Sequence, residues 1–369
     1  MENQSQNLPT QSQQKESQQK SWEYAWDLWC TLSIIGIWPR YIEPNLIFTR
    51  KIALPIQNLP KRMSGFSLLH ISDLHFSAST SKNFLQKISR KIEQLAPDAI
   101  VFTGDLICYG TLENREVLEE WLKTIQAPFG VFATLGNHDY EKYLSLDDDE
   151  QFVIEHDKIP PLFRGFSRLL GTKVERHTEP VKGPIQPLQE LLDMYKNAGI
   201  RVLHNNNALI GFGMNRINIV GLGDIMANQC IPEEAFKGLS PQLPTIVLSH
   251  NPDSFPLLKL YPGDLYLFGH THGGQVNLPL FWKKITPIRD KSLKSGLHQR
   301  GDKTLFISRG LGTTFPFRWF APPQMTLFQF VPKPTVTERA WKPIPEISKI
   351  VSDRAQCPTR TSSASKHIE

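Results

Sequence analysis

The chain has 369 residues, of which 40% are hydrophobic and 21% charged, a composition typical of a folded protein with a substantial core. Its formal net charge of +5 is too small to indicate nucleic-acid binding, and it fits an acidic substrate and an anionic membrane surface equally well. The four cysteines are Cys30, Cys108, Cys230 and Cys357, too far apart for a disulfide framework or a structural zinc site, which favours a reducing compartment.

The N-terminal part of the chain divides into two stretches of different composition. Residues 1–20 are rich in Gln, Ser and Lys and contain almost nothing to bury, so we expect a disordered tail. Residues 21–44 contain half of the eight tryptophans. Their uninterrupted apolar core, residues 28–38, is too short to span a bilayer, which takes about 20 residues.

Tryptophan favours the membrane–water interface, and basic residues follow the tryptophan-rich stretch. These are Arg40, Arg50, Lys51, Lys61 and Arg62. We therefore interpret residues 21–44 as an amphipathic segment that makes peripheral contact with an anionic leaflet. A helix packed on the main domain is the alternative interpretation.

From about residue 45 the sequence changes to short apolar runs that each end in polar residues. The runs FSLLHI, DAIVFT, GVFATL, TIVL and DLYLF have the length and continuity of strands buried on both faces. Two helices are predicted between the first three runs: SKNFLQKISRKIEQLAP, with Phe84, Ile88 and Ile92 at helical spacing, and ENREVLEEWLKTI. Alternating strands and helices predict an α/β layered fold, whose ligands bind beyond the carboxyl ends of the strands.

Later parts of the sequence set the limits of the predicted domain. The segments INIVGLGD and TLFISRG are predicted as further strands, and MTLFQFVP closes a domain that we place at residues 45–337. Residues 338–369 are polar, with scattered Pro, Ser, Thr and Lys, and we expect a frayed C-terminal tail.

Side chains that can ligate metals follow the predicted strands. They are Asp73, His75, Asp105, Asn137, His250, His270 and His272, and His138 lies beside Asn137. These oxygen and nitrogen donors, with no thiolate among them, suit two divalent ions, Mn²⁺ first, with Fe²⁺ or Zn²⁺ as alternatives. His70, inside an apolar run, is interpreted as a core histidine, and His204 as a turn residue.

Five motifs occur in a fixed order between about residues 66 and 330: DLH, GDL, GNHD, SHN and GHTH. In these motifs the chain resembles the calcineurin-like metallophosphoesterases. The resemblance implies a four-layer αββα sandwich with a site for two metal ions at its rim. It implies Asp73, His75 and His272 as ligands of one ion, Asn137, His250 and His270 as ligands of the other, and Asp105 as the bridge. Such ions activate water for attack on phosphorus and hold the phosphoryl oxygens.

The same resemblance gives His138 a different role. This histidine is not needed as a ligand, and it would steady the phosphoryl group or protonate the leaving oxygen. The neighbouring Asp139 is the candidate for orienting its imidazole. We therefore predict His138 as the catalytic residue.

The spellings ISDLH, GDLI, GNHDY, HNPD and GHTHGGQ most resemble a branch of membrane-associated bacterial phosphodiesterases. In that branch a G-I-R-V-L-x-N segment follows GNHDY closely, whereas here AGIRVLHNN begins at residue 198, so about residues 145–185 are an insertion. The insertion carries Phe163, Arg164, Phe166, Arg168, Leu169, Leu170, Lys173 and Arg176. It is a candidate lid for an acyl chain and a phosphate, or a surface loop with a small core of its own.

Two later stretches are rich in basic or aromatic residues. Residues 281–303 hold Lys283, Lys284, Arg289, Lys291, Lys294, Arg300 and Lys303. We interpret this stretch as a solvated basic face. Residues 313–323 place three phenylalanines and a tryptophan around Arg318. Where the branch often has Pro-Glu-Ile in the closing strand, this chain reads Pro323-Gln324-Met325, so no role of that acidic residue is carried over.

The interfacial segment, the insertion and the phosphodiester chemistry together indicate an anionic amphiphilic substrate. The sequence is similar to the membrane-associated UDP-2,3-diacylglucosamine pyrophosphatases of lipid A biosynthesis. This similarity implies hydrolysis of UDP-2,3-diacylglucosamine to UMP and 2,3-diacylglucosamine 1-phosphate by a peripheral or monotopic enzyme at the cytoplasmic face of the inner membrane. A broader phosphodiesterase acting on other phospholipids or nucleotides is one alternative, and a non-catalytic scaffold is another. The oligomeric state is not predicted.

Overall fold

The computed structural model describes residues 24–333, apart from residues 25, 148, 158, 160–162, 164–166, 168–174 and 280–281. Both predicted tails, residues 1–20 and 338–369, lie outside the described residues. Within the described part, strands and helices alternate through much of the chain.

Fifteen strands and six α-helices have defined bounds among the described residues. The strands are β1 (Phe48–Ile56), β2 (Ser67–Ile71), β3 (Ala99–Thr103), β4 (Val131–Thr134), β5 (Leu144–Leu146), β6 (Phe152–Glu155), β7 (Thr178–Pro180), β8 (Arg201–Val202), β9 (Asn206–Phe212), β10 (Asn215–Gly221), β11 (Thr245–Leu248), β12 (Leu265–Phe268), β13 (Gly296–Arg300), β14 (Lys303–Ile307) and β15 (Gln324–Pro332). The helices are α1 (Lys82–Leu95), α2 (Arg115–Lys123), α3 (Gln189–Asn197), α4 (Pro232–Ala235), α5 (Phe255–Leu258) and α6 (Trp282–Ile285).

Two six-stranded sheets form the centre of the domain. The strand order is β1-β15-β2-β3-β4-β8 in the first sheet and β13-β14-β12-β11-β10-β9 in the second. In the first sheet β2, β3 and β4 run parallel, with Ile71 opposite Phe102 and Thr103 opposite Thr134. In the second sheet β11 and β12 also run parallel. The carboxyl ends of these strands therefore lie side by side, which places the loops that follow them at one edge.

Successive residues of the central strands face opposite layers, because side chains alternate along a strand. Leu68 and Val101 pack between the two sheets, whereas Leu69 and Ile100 belong to the core shared with helices α1, α2 and α3. On the outer face of the second sheet, Val247 belongs to a third cluster that includes residues of α4 and α5. The chain is thus a four-layer αββα sandwich, and the predicted fold class is confirmed.

Helix α1 shows how the local sequence sets the start and the buried face of an element. Ser81 precedes the helix, and its hydroxyl accepts the N–H of Phe84 at 3.2 Å, which satisfies a donor of the first turn. Leu85, Ile88 and Ile92 are buried against the first sheet. Phe84, which the sequence spacing places on this face, is only partly buried, so the buried stripe is rotated slightly from the predicted one.

The insertion forms a third, small sheet in which β5, β6 and β7 pair in antiparallel fashion. Arg176 holds this sheet together, because its Nη2 lies 3.1 Å from Oε2 of the buried Glu155 and also donates to the carbonyl of Leu146. This arginine is therefore committed to the fold of the insertion and does not contribute to a phosphate-binding lid. The alternative interpretation, a loop with some structure of its own, describes this part of the insertion better.

The insertion contacts the site region, with Ser145 lining the same pocket as Asp105 and Asn137. The ring of Phe163 packs on that of Phe315, with centroids 5.1 Å apart, and Arg40 lies over the same Phe315 ring at 5.2 Å. The insertion, the aromatic stretch and the N-terminal part of the chain thus meet at one phenylalanine. The remaining residues proposed for a lid lie outside the described residues: Arg164, Phe166, Arg168, Leu169, Leu170 and Lys173.

Residues 24–45, here called the N-terminal segment, include a π-helix at Ser33–Ile42 and a 3₁₀ turn at Glu43–Asn45. Its large apolar side chains are exposed: Tyr24, Trp26, Leu28, Trp29, Leu32, Ile34, Ile35, Ile37, Trp38, Tyr41 and Ile42. Among the described residues, no helix combines the length and hydrophobicity needed to cross a membrane. Pro39 and Glu43 are buried, so the segment is attached to the domain near its C-terminal end.

One buried carboxylate and one backbone hydrogen bond are central to the attachment of the N-terminal segment, and Arg40 adds a hydrogen bond to the carbonyl of Pro316. Glu43 accepts Nε1–H of Trp38 at 2.8 Å and the backbone N–H groups of Phe320 and Ala321 at 3.1 and 2.6 Å. The carbonyl of Pro39 accepts the N–H of Arg318 at 2.8 Å. A buried carboxylate needs such donors to offset its lost hydration, so this contact fixes the end of the segment on the aromatic stretch.

Candidate metal centre

The candidate ligands lie in the loops that follow five strands. Asp73 and His75 follow β2, Asp105 follows β3, Asn137 and His138 follow β4, His250 follows β11, and His270 and His272 follow β12. All of these residues are buried except His272, which is partly buried. Since the strands are neighbours within each sheet and the sheets pack face to face, the structure brings all eight predicted site residues together.

The first group of donors consists of Asp73, His75 and His272. Nε2 of His272 lies 3.6 Å from Oδ1 of Asp73 and 3.0 Å from Nε2 of His75. One donor atom from each residue lies within 4.8 Å of the others. The hydroxyl of Ser72 also donates to the Asp73 carboxylate. This arrangement is compact enough to hold one cation.

The second group of donors is formed by Asp105, His250, His270 and Asn137. Nε2 of His250 lies 3.1 Å from Oδ2 of Asp105 and 3.3 Å from Nδ1 of His270. Oδ1 of Asn137 lies 2.9 Å from the same nitrogen of His270. Oδ2 of Asp105 is also 3.4 Å from Nε2 of His75, so the Asp105 carboxylate faces both groups.

Backbone carbonyls fix the tautomers of three of the imidazoles. Nδ1 of His250 lies 2.6 Å from the carbonyl of Thr103, Nε2 of His270 lies 3.0 Å from that of Pro287, and Nδ1 of His272 lies 3.1 Å from that of Gly312. A carbonyl oxygen only accepts, so each of these nitrogens carries a proton. In the neutral ring, the other nitrogen presents its lone pair to the centre, as a metal ligand must.

The contact between Asn137 and His270 shows that the residues fit a cation. The amide nitrogen of Asn137 donates to the carbonyl of Leu144 at 3.0 Å, so its Oδ1 faces Nδ1 of His270. Both atoms are acceptors, and no hydrogen lies between them at 2.9 Å. Such a contact is unfavourable unless a positive charge lies beside both atoms. The oxygen and nitrogen donors suit Mn²⁺, Fe²⁺ or Zn²⁺.

Five of the seven candidate ligands have a left-handed backbone conformation. The φ angles are 51° for Asp73, 46° for His75, 52° for Asp105, 68° for His270 and 51° for His272. Each such residue costs about 1–3 kcal/mol and persists only where the surroundings hold it, which is typical of functional sites. The loops also approach closely, since a Cβ on Gly136 would lie 2.8 Å from Cε1 of His250.

Burial and neighbouring charges set the ionisation of the centre. Burial lowers the pKa of His270 to about 3 and holds the pKa values of His75 and His272 well below their ordinary value, so these rings are neutral, the form that binds metals. Burial also acts to lower the pKa of His250, but the carboxylate of Asp105 raises it to about 10. The centre therefore favours positive charge beside Asp105.

His138 lines the same pocket as Asp105 and Asn137. Its Nδ1 accepts the N–H of Tyr109 at 2.9 Å, so the neutral ring carries its proton on Nε2. The ring centroid lies 4.8 Å from that of His75. A histidine protonated on Nε2 beside the donors suits proton donation to a leaving oxygen.

The expectation that Asp139 orients His138 is wrong. Oδ1 of Asp139 accepts the backbone N–H groups of Leu106 and Ile107, and its Oδ2 accepts that of Gly136. The carboxylate therefore ties the loop after β3 to the loop after β4, because a buried carboxylate takes the nearest orphaned donors. The backbone of Tyr109, and not this aspartate, donates to the His138 ring.

Arg318 supports the centre, although its sequence position indicates only an aromatic stretch. Its side chain is completely buried and donates to the carbonyls of Arg309, Gly312 and Ala321. Burial lowers the pKa of Arg318 to about 10. The carbonyl of Gly312 is also the one that fixes the His272 tautomer, so Arg318 acts on the first group of donors through this loop. The sequence offers one signal for this role, which is a single arginine within an aromatic run. An arginine buried in such a run must have its donors paired.

Comparison with known proteins places this geometry in a family. Residues 66–274, which include all eight predicted site residues, match the family model described as calcineurin-like phosphoesterase. The chain is 36% identical over 313 residues to the UDP-2,3-diacylglucosamine pyrophosphatase of Chlamydia trachomatis, which covers 81% of this chain and 93% of that protein. The protein of the same name from Chlamydia muridarum is 37% identical over 314 residues, with the same coverage. A phosphodiesterase of Escherichia coli is 28% identical over 295 residues, covering 80% of this chain and 89% of that protein.

The shared position of Asp105 leads to a prediction about metal binding. We expect calorimetric titration with Mn²⁺ to show about two ions per chain, and Asp105→Asn to weaken binding of both by roughly 100-fold or more, since even the loss of an outer hydrogen-bond partner costs 10–100-fold. Asp302→Asn, at an exposed turn, is the control and should bind like the unmodified protein. An Asp105→Asn variant that still binds two ions with full affinity would contradict the shared carboxylate.

Proposed function

The chain belongs to the calcineurin-like phosphoesterase family, and on that basis we propose that it hydrolyses UDP-2,3-diacylglucosamine to UMP and 2,3-diacylglucosamine 1-phosphate at a membrane surface. The family and the pyrophosphatase relatives show a metal-dependent hydrolase of phosphoric esters or diphosphates. The identity of the substrate is the part that we propose beyond this class of hydrolase. The observation that carries it is a cleft that joins the metal centre to the exposed apolar N-terminal segment.

The cleft has polar chemistry at one end and the N-terminal segment at the other. It has a volume of about 310 Å³ and is lined by His75 and Arg318 as well as by Arg40 and Tyr41. A second groove, of about 450 Å³ and almost entirely apolar, runs between the N-terminal segment and Phe320. A phosphoanhydride that carries acyl chains matches this pairing of a polar cleft with apolar surface.

The centre is proposed to hold two divalent ions, with Mn²⁺ as the first candidate. The proposed ligands are Asp73, His75 and His272 for one ion, Asn137, His250 and His270 for the other, and Asp105 for both. When bound, such ions activate water and withdraw charge from the phosphoryl oxygens. The protein holds the donor atoms in place through strained loops and fixed tautomers, so little reorganisation accompanies the reaction.

His138 is proposed to donate the proton that the leaving oxygen needs. Tyr109 holds Nδ1 of His138 as an acceptor, which leaves the proton on Nε2 of the neutral ring. Breaking the diphosphate produces a phosphate oxygen that carries growing negative charge, and a positioned acid stabilises it. The ring lies beside Asp105 in the pocket, where this oxygen is generated.

We also propose that the N-terminal segment binds the membrane peripherally, at the cytoplasmic face of the inner membrane. Phe320 is 56% exposed and has a φ of 57°, a strained conformation that the Glu43 carboxylate holds through the N–H groups of Phe320 and Ala321. Phe48 and Trp38 line the same groove as Phe320. An exposed aromatic residue fixed next to a row of exposed apolar side chains suits insertion among acyl chains.

A broader phosphodiesterase is the second candidate function. The similarity to the Escherichia coli phosphodiesterase favours it, and the metal centre by itself does not discriminate between diphosphates and phosphodiesters. The scaffold interpretation is set aside, because the family and the pyrophosphatase relatives identify the chain as a hydrolase.

The substrate proposal predicts the products of one reaction. With Mn²⁺ and detergent-solubilised UDP-2,3-diacylglucosamine, we expect chromatography to show stoichiometric UMP and the acylated sugar phosphate. Asp105→Ala should produce none, because the carboxylate shared by both ions is removed. Cleavage of simple phosphodiesters without hydrolysis of this lipid would contradict the proposed substrate and favour the broader phosphodiesterase.

The proposed role of His138 predicts a dependence on the leaving group. His138→Gln should lower kcat on the natural diphosphate roughly 100- to 10,000-fold, the usual contribution of a positioned acid. The loss should be much smaller for a p-nitrophenyl ester, whose leaving oxygen needs little protonation. Mn²⁺ affinity, measured by calorimetry, should stay unchanged. Equal losses on both substrates, or weaker metal binding, would instead make His138 a ligand, since it lies within ligating distance of His75 and Asp105.

The proposed membrane contact predicts the effect of removing two exposed tryptophans. Trp26 and Trp29 are 66% and 56% exposed, and Trp26→Ser with Trp29→Ser should weaken binding to phosphatidylcholine vesicles by at least about tenfold, because less apolar surface is buried. Met214→Ser, at a side chain that is 91% exposed, is the control and should have no effect. Vesicle co-sedimentation measures the difference. Unchanged vesicle binding by the double variant would show that the segment does not contact the membrane.

A further inference from the structure

Three cationic side chains gather around the Gly273-Gly274 turn, which follows His272 directly. Cγ of Arg309 lies 2.9 Å from the position that a Cβ on Gly273 would occupy, and Cδ of Lys294 lies 3.4 Å from the equivalent position on Gly274. Arg50 of β1 reaches the same region, with Nη1 3.9 Å from a Cβ position on Gly296. Arg50, Lys294 and Arg309 are here called the basic cluster. They come from three separate parts of the chain.

The basic cluster has no acidic partner among the residues that the structure describes. Nζ of Lys294 donates to Oδ1 of Asn277 at 2.6 Å and lies 4.5 Å from the ring centroid of Trp282. The guanidinium groups of Arg50 and Arg309 form no hydrogen bond or ion pair within the described part of the chain. Burial first and then the charge of Arg50 lower the pKa of Arg309, and burial and Arg309 lower that of Lys294. The three cations therefore repel one another, and a bound anion would relieve the repulsion.

The carboxylate that acts on Arg309 does not neutralise the cluster. Glu43 lies close enough to Arg309 to act on its pKa. Its carboxylate is already committed to Trp38, Phe320 and Ala321, which donate three hydrogen bonds to it. Contacts among the described residues therefore do not neutralise the positive charge of the basic cluster.

An exposed apolar side chain lies beside the basic cluster. Phe48 lies two residues before Arg50 on β1, so both side chains point to the same face of the strand, and Phe48 is exposed. Apolar side chains that enter the acyl layer next to cations at the level of the headgroups are the arrangement of an interfacial lipid site.

Two other basic residues near the start of the domain lie elsewhere. Lys61 and Arg62 follow the far end of β1, whose nine residues extend roughly 26 Å at about 3.3 Å per residue. These two cations therefore do not share the surface of Arg50, although the sequence places all of them after the tryptophan-rich stretch. They provide a matched pair of charges for comparison.

We propose that the basic cluster binds the phosphate of an anionic phospholipid headgroup. The proposal rests on the peripheral membrane contact proposed above and adds a headgroup site separate from the metal centre. Two guanidinium groups and one ammonium group match a phosphate, because guanidinium binds two of its oxygens at once. The cluster contacts the turn that directly follows His270 and His272, so a lipid held there orients the cleft toward the bilayer.

The test compares two double variants of equal charge. Arg50→Gln with Arg309→Gln removes the cluster, and Lys61→Gln with Arg62→Gln removes two cations at the other end of β1. Tryptophan-fluorescence titrations use vesicles of phosphatidylcholine alone and of phosphatidylcholine with phosphatidylglycerol. A basic residue near an anionic surface contributes about fivefold in affinity, so the cluster variant should lose roughly 25-fold on the anionic vesicles. Its binding to phosphatidylcholine should be unchanged, and the control variant should lose far less.

Each other outcome of the titrations overturns the proposal in a different way. Equal losses in both double variants would mean general attraction to the surface, and no loss in either would mean that the cluster does not meet the membrane. Binding of inorganic phosphate that the cluster variant loses, without any loss on vesicles, would assign the site to a soluble phosphate. UMP release from detergent-solubilised substrate tests the proposed function separately, and it should be the same in both variants.

Discussion

The carboxylate of Asp105 is the group on which the rest of the structure depends. It is buried between two sets of donors, 3.4 Å from His75 and 3.1 Å from His250. A buried carboxylate is costly unless hydrogen-bond donors or positive charge lie beside it. Oδ1 of Asp105 accepts the N–H of His138, whereas Oδ2 faces the imidazole nitrogens of His75 and His250. Backbone carbonyls take the outer protons of His250, His270 and His272, so in the neutral rings the inner nitrogens have lone pairs to offer. The two sheets are packed so that their loops deliver these atoms to one place, and the centre is consequently built for cations.

The same loops connect the centre to the surface that we propose for membrane binding. The carbonyl of Pro39 accepts the N–H of Arg318, the Arg318 side chain donates to the carbonyl of Gly312, and that carbonyl fixes His272. The N-terminal segment and the first group of donors therefore belong to one hydrogen-bonded unit. Glu43 completes it by holding the aromatic stretch. A lipid bound at the segment, as proposed, would therefore lie on the same hydrogen-bonded unit as the first group of donors.

The sequence predicted the elements and residues whose pattern is local. Buried parallel strands have continuous apolar runs, and the donors of the centre follow these runs directly, so both were recognisable. His70 was interpreted as a core histidine, and it is buried with Nε2 2.7 Å from the hydroxyl of Thr103. Features that depend on distant partners were not recognisable. β1 is an edge strand whose partner β15 lies at the other end of the domain, and the burial of Arg318 depends on carbonyls of a loop whose path no local pattern reveals. Asp139 was misassigned for the same reason, since its donors come from the loop after another strand.

The central claim is that two cations share Asp105 between the two groups of donors. The most direct test is a crystal of the protein grown with Mn²⁺ and measured at a wavelength where manganese scatters anomalously. The account predicts two anomalous peaks about 3.5–4 Å apart, one beside Asp73, His75 and His272 and one beside Asn137, His250 and His270. A single peak, or peaks that do not contact Asp105, would contradict it.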